Sequence, residues 1–375
     1  MTQTVLVEAW TADARRGDDA LDDLAAEWND LFDRCAQASP FQAYAWVRSW
    51  WRSYGAPGRL RVFLVRHHGR LAGAAAFELR WRAGCPVLTP VGGSITDFTD
   101  VLLDDELAAP AAQVLATAIL GDRGWQAIDL PESRRGTVLV PAWPGTRHET
   151  AGSLCLELPA SEMEDLVRGL PSHSRKTVKR RLNQLKKASP EVREIAANEA
   201  PRAVADLLRL HGRQWQGRGG NPAHLAPAFA THLTHAVTDM IGAGQAALFE
   251  YRFDGELLAS SLVLIGRDLV GGYLFGVDPA LRGRVDVTTM LLSDALPLAH
   301  RLGRPTMSML RGAEAHKSTW RPVEAPNRRI LLVRPGSLRG AGYARGVLAL
   351  RRAAELAKEK TPWVKTVRDR LRWRR

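Results

Sequence analysis

Apolar residues recur at helical spacing over 21–35, where Leu21, Leu24, Ala25, Trp28, Leu31 and Phe32 mark one face, and the period predicts a core-packed helix. A second helix is predicted over 39–55: Ser39 suits the cap, Pro40 the first helical position and Gly55 the stop. Alternating or continuous apolar runs predict strands over 4–9, 60–66, 71–79, 100–103 and 126–130. His67, His68, Gly69 and Arg70 form a hairpin turn, and a helix is expected over 107–120. The order then repeats. Helices are predicted over 172–187, 201–216 and 223–241, and 245–279 reads as a three-stranded meander with turns at Asp254-Gly255 and Arg267-Asp268. A helix over 287–302, a short strand over 306–310 and a final strand over 328–333 complete the second half. This alternation predicts an α/β (α+β) chain of two similar units, each a mixed central sheet flanked by helices. The expected boundaries are 1–165 and 166–335, with a basic helical tail over 336–375.

At 375 residues the chain can bury two full cores. Its net charge of +12 would suggest a nucleic-acid partner if it were spread evenly, but it is not. Residues 337–375 hold twelve Lys/Arg against three acids, and 171–190 hold seven with none, which leaves the rest of the chain at −4. Cys35, Cys85 and Cys155 stand far apart, which argues against a disulfide framework or a cysteine metal site and for a reducing, cytoplasmic setting. The first residues carry no export pattern, and no stretch approaches the apolar length of a membrane span. In the tail, Thr361 and Pro362 open a helix whose Trp363, Val364, Val367 and Leu371 share a face among basic residues. Such a helix suits peripheral contact with an anionic membrane at its inner face, or else packs back on the body.

Two stretches could carry chemistry. A helix N-terminus after a strand favours anions, and "DPALRGRVDVTT", 278–289, offers one with Arg282 and Arg284 beside it. Val277, Arg282, Arg284, Thr288 and Thr289 are the candidate cofactor-binding residues; the same spacing also serves an ordinary strand-to-helix loop. In "RGAEAHKSTWRP", 311–322, Glu314, His316 and Lys317 follow a strand end, where a base for an ammonium proton and a donor for a leaving group can sit. A surface Glu-Lys pair with a core Trp320 is the alternative. His224, His232 and His235 share a helical stretch without a carboxylate partner and read as a surface face, so no metal is expected.

"SPFQAYAWVRSWW", "TDFTDVLL", "HGRQWQGRGG", "YLFGVDPALRGRVDVTTMLL" and "RGAEAHKSTW" occur in an order and spacing that resemble the CelD-type acetyltransferases of cellulose and exopolysaccharide synthesis, in the GNAT superfamily and similar to Fem-type peptidyltransferases. The resemblance implies tandem GNAT-like domains, with acetyl-CoA or another acyl-CoA as co-substrate, no metal and a small-molecule amine such as an amino sugar as acceptor. It assigns Glu314, His316 and Lys317 to catalysis, and Asp97, Asp100, Trp215, Arg218 and Trp320 to the substrate. A pocket is expected between the units or at the splayed strands of the second, with helix 287–302 beginning there. Phe98 and His316 stand where the family commonly has tyrosines, and 282–286 lacks its paired glycines. An aminoacyl-tRNA-dependent, Fem-type activity is the alternative, with the basic stretch 171–190 touching tRNA; a non-catalytic binding protein is another.

Overall fold

The structure, a computed structural model, describes residues 9–134, 136–216, 221–312, 314 and 316–360. It is a mixed α/β fold built on one continuous sheet of thirteen strands. The first unit runs β1 (Trp10–Arg16), α1 (Ala25–Asp33), α2 (Tyr44–Tyr54), β2 (Leu60–His67), β3 (Arg70–Arg82), β4 (Cys85–Pro90), β5 (Leu102–Leu103), α3 (Ala108–Gly121), β6 (Ala127–Ser133), α4 (Leu139–Ala142) and β7 (Arg147–Pro159). Two linking helices follow, α5 (Met163–Gly169) and α6 (Ser172–Ala188). The second unit repeats the plan as β8 (Glu191–Glu194), α7 (Ala200–Trp215), α8 (Pro227–Gly242), β9 (Ala246–Phe253), β10 (Glu256–Ile265), β11 (Leu269–Val277), α9 (Val287–Arg301), β12 (Thr306–Arg311) and β13 (Val323–Val333). Helix α10 (Leu338–Lys360) closes the described chain.

Across the sheet the order is β1-β2-β3-β4-β6-β13-β7-β12-β11-β10-β9-β8, with β5 on β3, and it reads the same outward from its centre for corresponding strands. The two units exchange their last strands. β13 lies between β6 and β7, and β7 lies between β13 and β12. The sequence boundary at 165 therefore does not separate two self-contained sheets, because each unit's final strand pairs with strands of the other. Local patterning cannot reveal this, since β13 presents the same alternation to either neighbour.

Each unit has one parallel pair, joined by a helical crossover: β4 with β6 through α3, and β11 with β12 through α9. Both pairs are short and then diverge. β4 and β6 are in register only at Val87 with Ala127 and Leu88 with Ile128, and β11 and β12 only from Leu269 with Thr306 to Gly271 with Ser308.

Central strands such as β2 are buried on both faces, and Val62 and Leu64 join one core while Phe63 and Val65 join another. One face is covered by α1, α2, α7 and α8 in a core continuous across both units. The other carries α3 over the first unit, α6 and α9 over the second, and the start of α10 against β4, β6 and β13. Edge strands β1 and β8 are largely exposed and polar, so periodicity passes over them. The strand expected over 4–9 lies almost wholly outside the described residues; the observed edge strand begins at Trp10.

Candidate functional site

The loop 91–101, after β4, crosses to the second unit and is held there from several directions. Gly92 adopts φ 133°, and a Cβ on it would collide with the Thr96 side chain, so the turn requires glycine. Trp46 Nε1 of α2 donates to Thr96 Oγ1 at 3.0 Å, and the Tyr273 hydroxyl of β11 donates to the Ile95 carbonyl at 2.9 Å. Trp46 is fully buried, edge-on to Phe41, Tyr273 and His232. This aromatic hub locks α2 of the first unit to α8 and β11 of the second.

The polar centre of the junction is Arg311, the last residue of β12. A bulge in the β12/β7 ladder between Ser308 and Arg311 coincides with Leu310 at φ 54°, an uncommon conformation for a residue with a bulky side chain. Gly271 makes room for it, since a Cβ there would lie 2.9 Å from the Leu310 side chain. Arg311 pairs through Nε with Asp97, donates Nη2 to the Ser94 carbonyl at 2.8 Å, and approaches Glu132 of β6 at 3.7 Å. Glu132 accepts from Ser153 Oγ at 2.6 Å and from Asn327 Nδ2 at 2.9 Å, and Asn327 Nδ2 also donates to the Asp97 carbonyl at 3.1 Å. One guanidinium thus serves two carboxylates where β6, β7, β12, β13 and the loop meet. Burial pushes the Asp97 carboxyl up against the pull of Arg311, while Asp97 and Glu132 outweigh desolvation to hold Arg311 firmly cationic.

Arg311 and Glu132 border a pocket of about 460 Å³. It opens where β4 and β6 part, walled by Thr89 and Pro90 on one side and Asp129 and Pro131 on the other. Trp50 and Tyr54, stacked at 5.4 Å, form an aromatic wall, and the buried Tyr54 hydroxyl has no hydrogen-bond partner among the described residues. Glu78, Arg80, Arg82 and Arg329 add charge of both signs, and Ala223 and Ala226 bring in the segment after α7. The pocket therefore lies at the first unit's splay and at the junction between the units, and no residue of α9 lines it.

At the second unit's splay the geometry corrects several expectations. Asp286 caps α9, accepting from the Thr289 amide at 2.9 Å and the Thr289 hydroxyl at 2.7 Å, so a carboxylate already occupies the position expected for an anion. The amides of Arg282, Arg284 and Val285 bond within the loop, to the carbonyls of Pro279 and Leu281. The Val277 amide donates to Gln214 Oε1 at 3.1 Å. Arg284 turns to Asp254 at 3.1 Å and lies over Phe253, while Arg282 is exposed. Thr289 is buried and Thr288 half-buried at the start of α9, facing α6, whose Arg181 approaches Asp286 at 3.5 Å. These satisfied donors leave a poor pyrophosphate cradle.

Past Arg311, Gly312 turns the chain at φ 110°, and Glu314 folds back to pair with Lys317 at 2.8 Å. Lys317 Nζ also donates to the Met309, Arg311 and Gly312 carbonyls at 3.0, 3.4 and 3.1 Å, so it clamps the end of β12 and is not directed at a ligand. Burial raises the Glu314 pKa, but the Lys317 hydrogen bond and charge prevail and hold it below the usual carboxylate value. His316 is exposed on the same turn, and desolvation lowers its pKa more than Glu314 raises it. Trp320 is a fully buried core residue and does not reach a substrate surface. Trp215 is partly exposed at the end of α7 beside His211, and Arg218 lies outside the described residues. His232, expected on a surface face, is fully buried against Trp46 and Ser49, and desolvation lowers its pKa to about 3. Among the described residues no group of three or more His, Cys, Asp or Glu is placed to hold a metal ion.

Asp100 stands apart from the Arg311 network, in a smaller cavity of about 100 Å³ beside Cys35 and Thr137. Burial raises its pKa to about 7 despite hydrogen bonds from Thr137 and the Val101 amide. A folded pKa above the unfolded value of about 3.9 stabilises the fold at low pH, and that contribution is lost as pH rises through 7. Asp100→Asn is therefore expected to stabilise the protein at pH 8 by on the order of 1–3 kcal/mol, discounted for partial exposure, and to change little at pH 4. Urea midpoints at the two pH values measure this; an equal difference at both would refute it.

The sequence comparisons concern the second unit. Residues 172–318 match the family model of an acetyltransferase (GNAT) domain. No curated protein matches the sequence. FemX is similar in structure, at 11% identity over 82% of this chain and 96% of that chain, with a TM-score of 0.58. The C-terminal domain of a proposed lysylphosphatidylglycerol synthetase from Agrobacterium fabrum gives 11% identity over 90% and 97%, with a TM-score of 0.56. L-PGS from Bacillus licheniformis gives 9% over 87% and 96%, with a TM-score of 0.53. At these identities the likeness is one of fold, and it extends over both units.

Proposed function

We propose that the chain is an N-acyltransferase that takes an acyl group from a carrier docked on the second unit and delivers it to an amine held in the pocket of the first. The observation that carries this reading is Arg311, which borders the acceptor pocket and directly precedes the Glu314 turn at the end of β12 in the GNAT-matched domain. A pocket of about 460 Å³ with stacked aromatics and charges of both signs suits a small polar amine such as an amino sugar, in keeping with a role in envelope or polysaccharide metabolism. Acyl transfer needs the amine deprotonated before attack and the leaving group reprotonated afterwards. Glu314, kept ionised by Lys317, takes the ammonium proton directly or through one water, and His316, neutral until it receives that proton, relays it to the leaving group.

Acyl-CoA is the first reading of the carrier. A specific observation favours a second, an aminoacyl-tRNA: the 279–286 loop uses amides internally, Asp286 occupies the α9 N-terminus, and α6 beside it exposes Lys176, Lys179, Arg180 and Lys187 along one side. A polyanionic backbone would meet that side, and its affinity would fall steeply with salt.

Glu314→Gln is the test of the catalytic assignment. It should lower kcat by roughly 10²–10⁴-fold with little change in donor KM, as for a group acting in proton transfer. Retention of full turnover would make the Glu314–Lys317 pair structural only.

A further inference from the structure

Among the described residues, helix α10 is held on one side only. The Tyr343 hydroxyl donates to Asp129 at 2.6 Å, Ala344 is buried against β4, β6 and β13, and Arg351 reaches the Gly152 carbonyl at 3.4 Å. At 3.6 residues per turn, Gly342, Gly346, Ala349, Leu350, Ala353 and Leu356 fall within an arc of roughly 120° on the opposite side. Leu350 and Leu356 are 74% and 55% exposed, and Arg345 and Arg352, both exposed, fall along one edge of the arc. Tyr343, Ala344 and Val347 turn to the sheet as a surface helix's apolar stripe usually does, so the exposed leucines form a second apolar stripe that the fold does not cover. The sequence then continues with Trp363, Trp373 and six further basic residues, in the +9 segment of a chain whose charge outside its two basic segments is −4.

We propose that the outward face of α10 docks on an anionic lipid surface. Charge selects this occupant. A second copy of the chain would bring one +9 segment against another, and the tail folded back on α10 would set its arginines beside Arg345 and Arg352. An anionic bilayer instead takes the leucines at the acyl boundary and the basic side chains at the headgroups, as an interfacial helix does. Among the described residues no helix is long and apolar enough to cross a membrane, so the contact is peripheral.

Co-sedimentation of the full chain with phosphatidylcholine vesicles, and with mixed phosphatidylcholine/phosphatidylglycerol vesicles, tests the proposal. The chain should pellet with the mixed vesicles at low salt, release at high salt, and stay in solution with phosphatidylcholine alone. Leu350→Glu/Leu356→Glu should weaken partitioning at least about tenfold, since two exposed leucines lose their apolar burial in the lipid. Both sites are exposed and outside the acyl-transfer machinery, so thermal unfolding should match the wild type and exclude misfolding as the cause. Equal partitioning to both vesicle types, or partitioning untouched by the double substitution, would overturn the proposal. So would a dimer that the double substitution dissociates in a chain that binds no vesicles, which would assign the face to a second copy.

Discussion

Arg311→Ala should destabilise the fold by about 3 kcal/mol and, on the proposed mechanism, abolish transfer. The guanidinium is the counter-charge of both Asp97 and Glu132, and its side chain is 29% exposed against 13% and 15% for theirs. Removing it leaves two mostly buried carboxylates without their counter-charge, the circumstance in which breaking an ion pair costs most. The same change frees the 91–101 loop from β12 at the edge of the acceptor pocket. Arg311→Lys should recover only part of the loss, because an ammonium cannot reproduce the fork that reaches Asp97 and the Ser94 carbonyl together. Urea unfolding of Arg311→Ala, Asp97→Asn and the double variant measures the coupling; additive effects would show that the pair does not join the units.

The larger effect is expected from dividing the chain. A protein of residues 161–375 contains the whole GNAT-matched segment, and at first sight should fold alone. The sheet predicts otherwise. Among the described residues β13 pairs only with β6 and β7, and β12 has β7 as its second neighbour, so the fragment loses every ladder partner of β13 and one of the two of β12. It also loses Trp46, the loop and the helices that share the continuous core with α7 and α8. The fragment should show no cooperative unfolding transition, and co-expression with 1–160 should restore one. A cooperative transition and ordered aromatic signals from the fragment alone would contradict strand exchange as a requirement for folding.

Much of the architecture is legible where local chemistry decides it. The 39–55 prediction corresponds to a short 3-10 turn beginning at Pro40 and then α2, ending at Gly55. The meander turn at Asp254-Gly255 has φ 53° and 80°, the left-handed pair that such a dipeptide favours. The 287–302 helix begins where Asp286 can cap it. The missed strands have physical reasons. β1 and β8 are polar edges, and the first half of β7, from Arg147, is only partly buried, so neither shows a clear period. The destination of β13 depends on global pairing and not on its own residues.

The candidate site was legible in part. Asp97 and the 311–322 stretch stand far apart in sequence and meet in the fold, but through Arg311, an arginine at a strand end that nothing local distinguishes. Its role depends on the Leu310 bulge, which spacing does not reveal. Glu132 and Asn327 sit in strands whose alternation reads as ordinary sheet, and their buried contacts come from strand exchange. Conversely, Arg284 and Lys317 read as ligand-facing charges because sequence shows a charge but not the partner that already satisfies it.

The central claim is that acyl chemistry on the second unit serves an amine in the first. Its most direct measurement is acceptor-dependent release of the carrier, followed in parallel with acetyl-CoA and with aminoacyl-tRNA against a panel of amino sugars and small amines. Release of free CoA or deacylated tRNA, with matching N-acylated product, that is lost in Arg311→Ala and Glu314→Gln is the predicted result. Binding of either carrier without product for any amine, or transfer undiminished in both variants, would contradict the account.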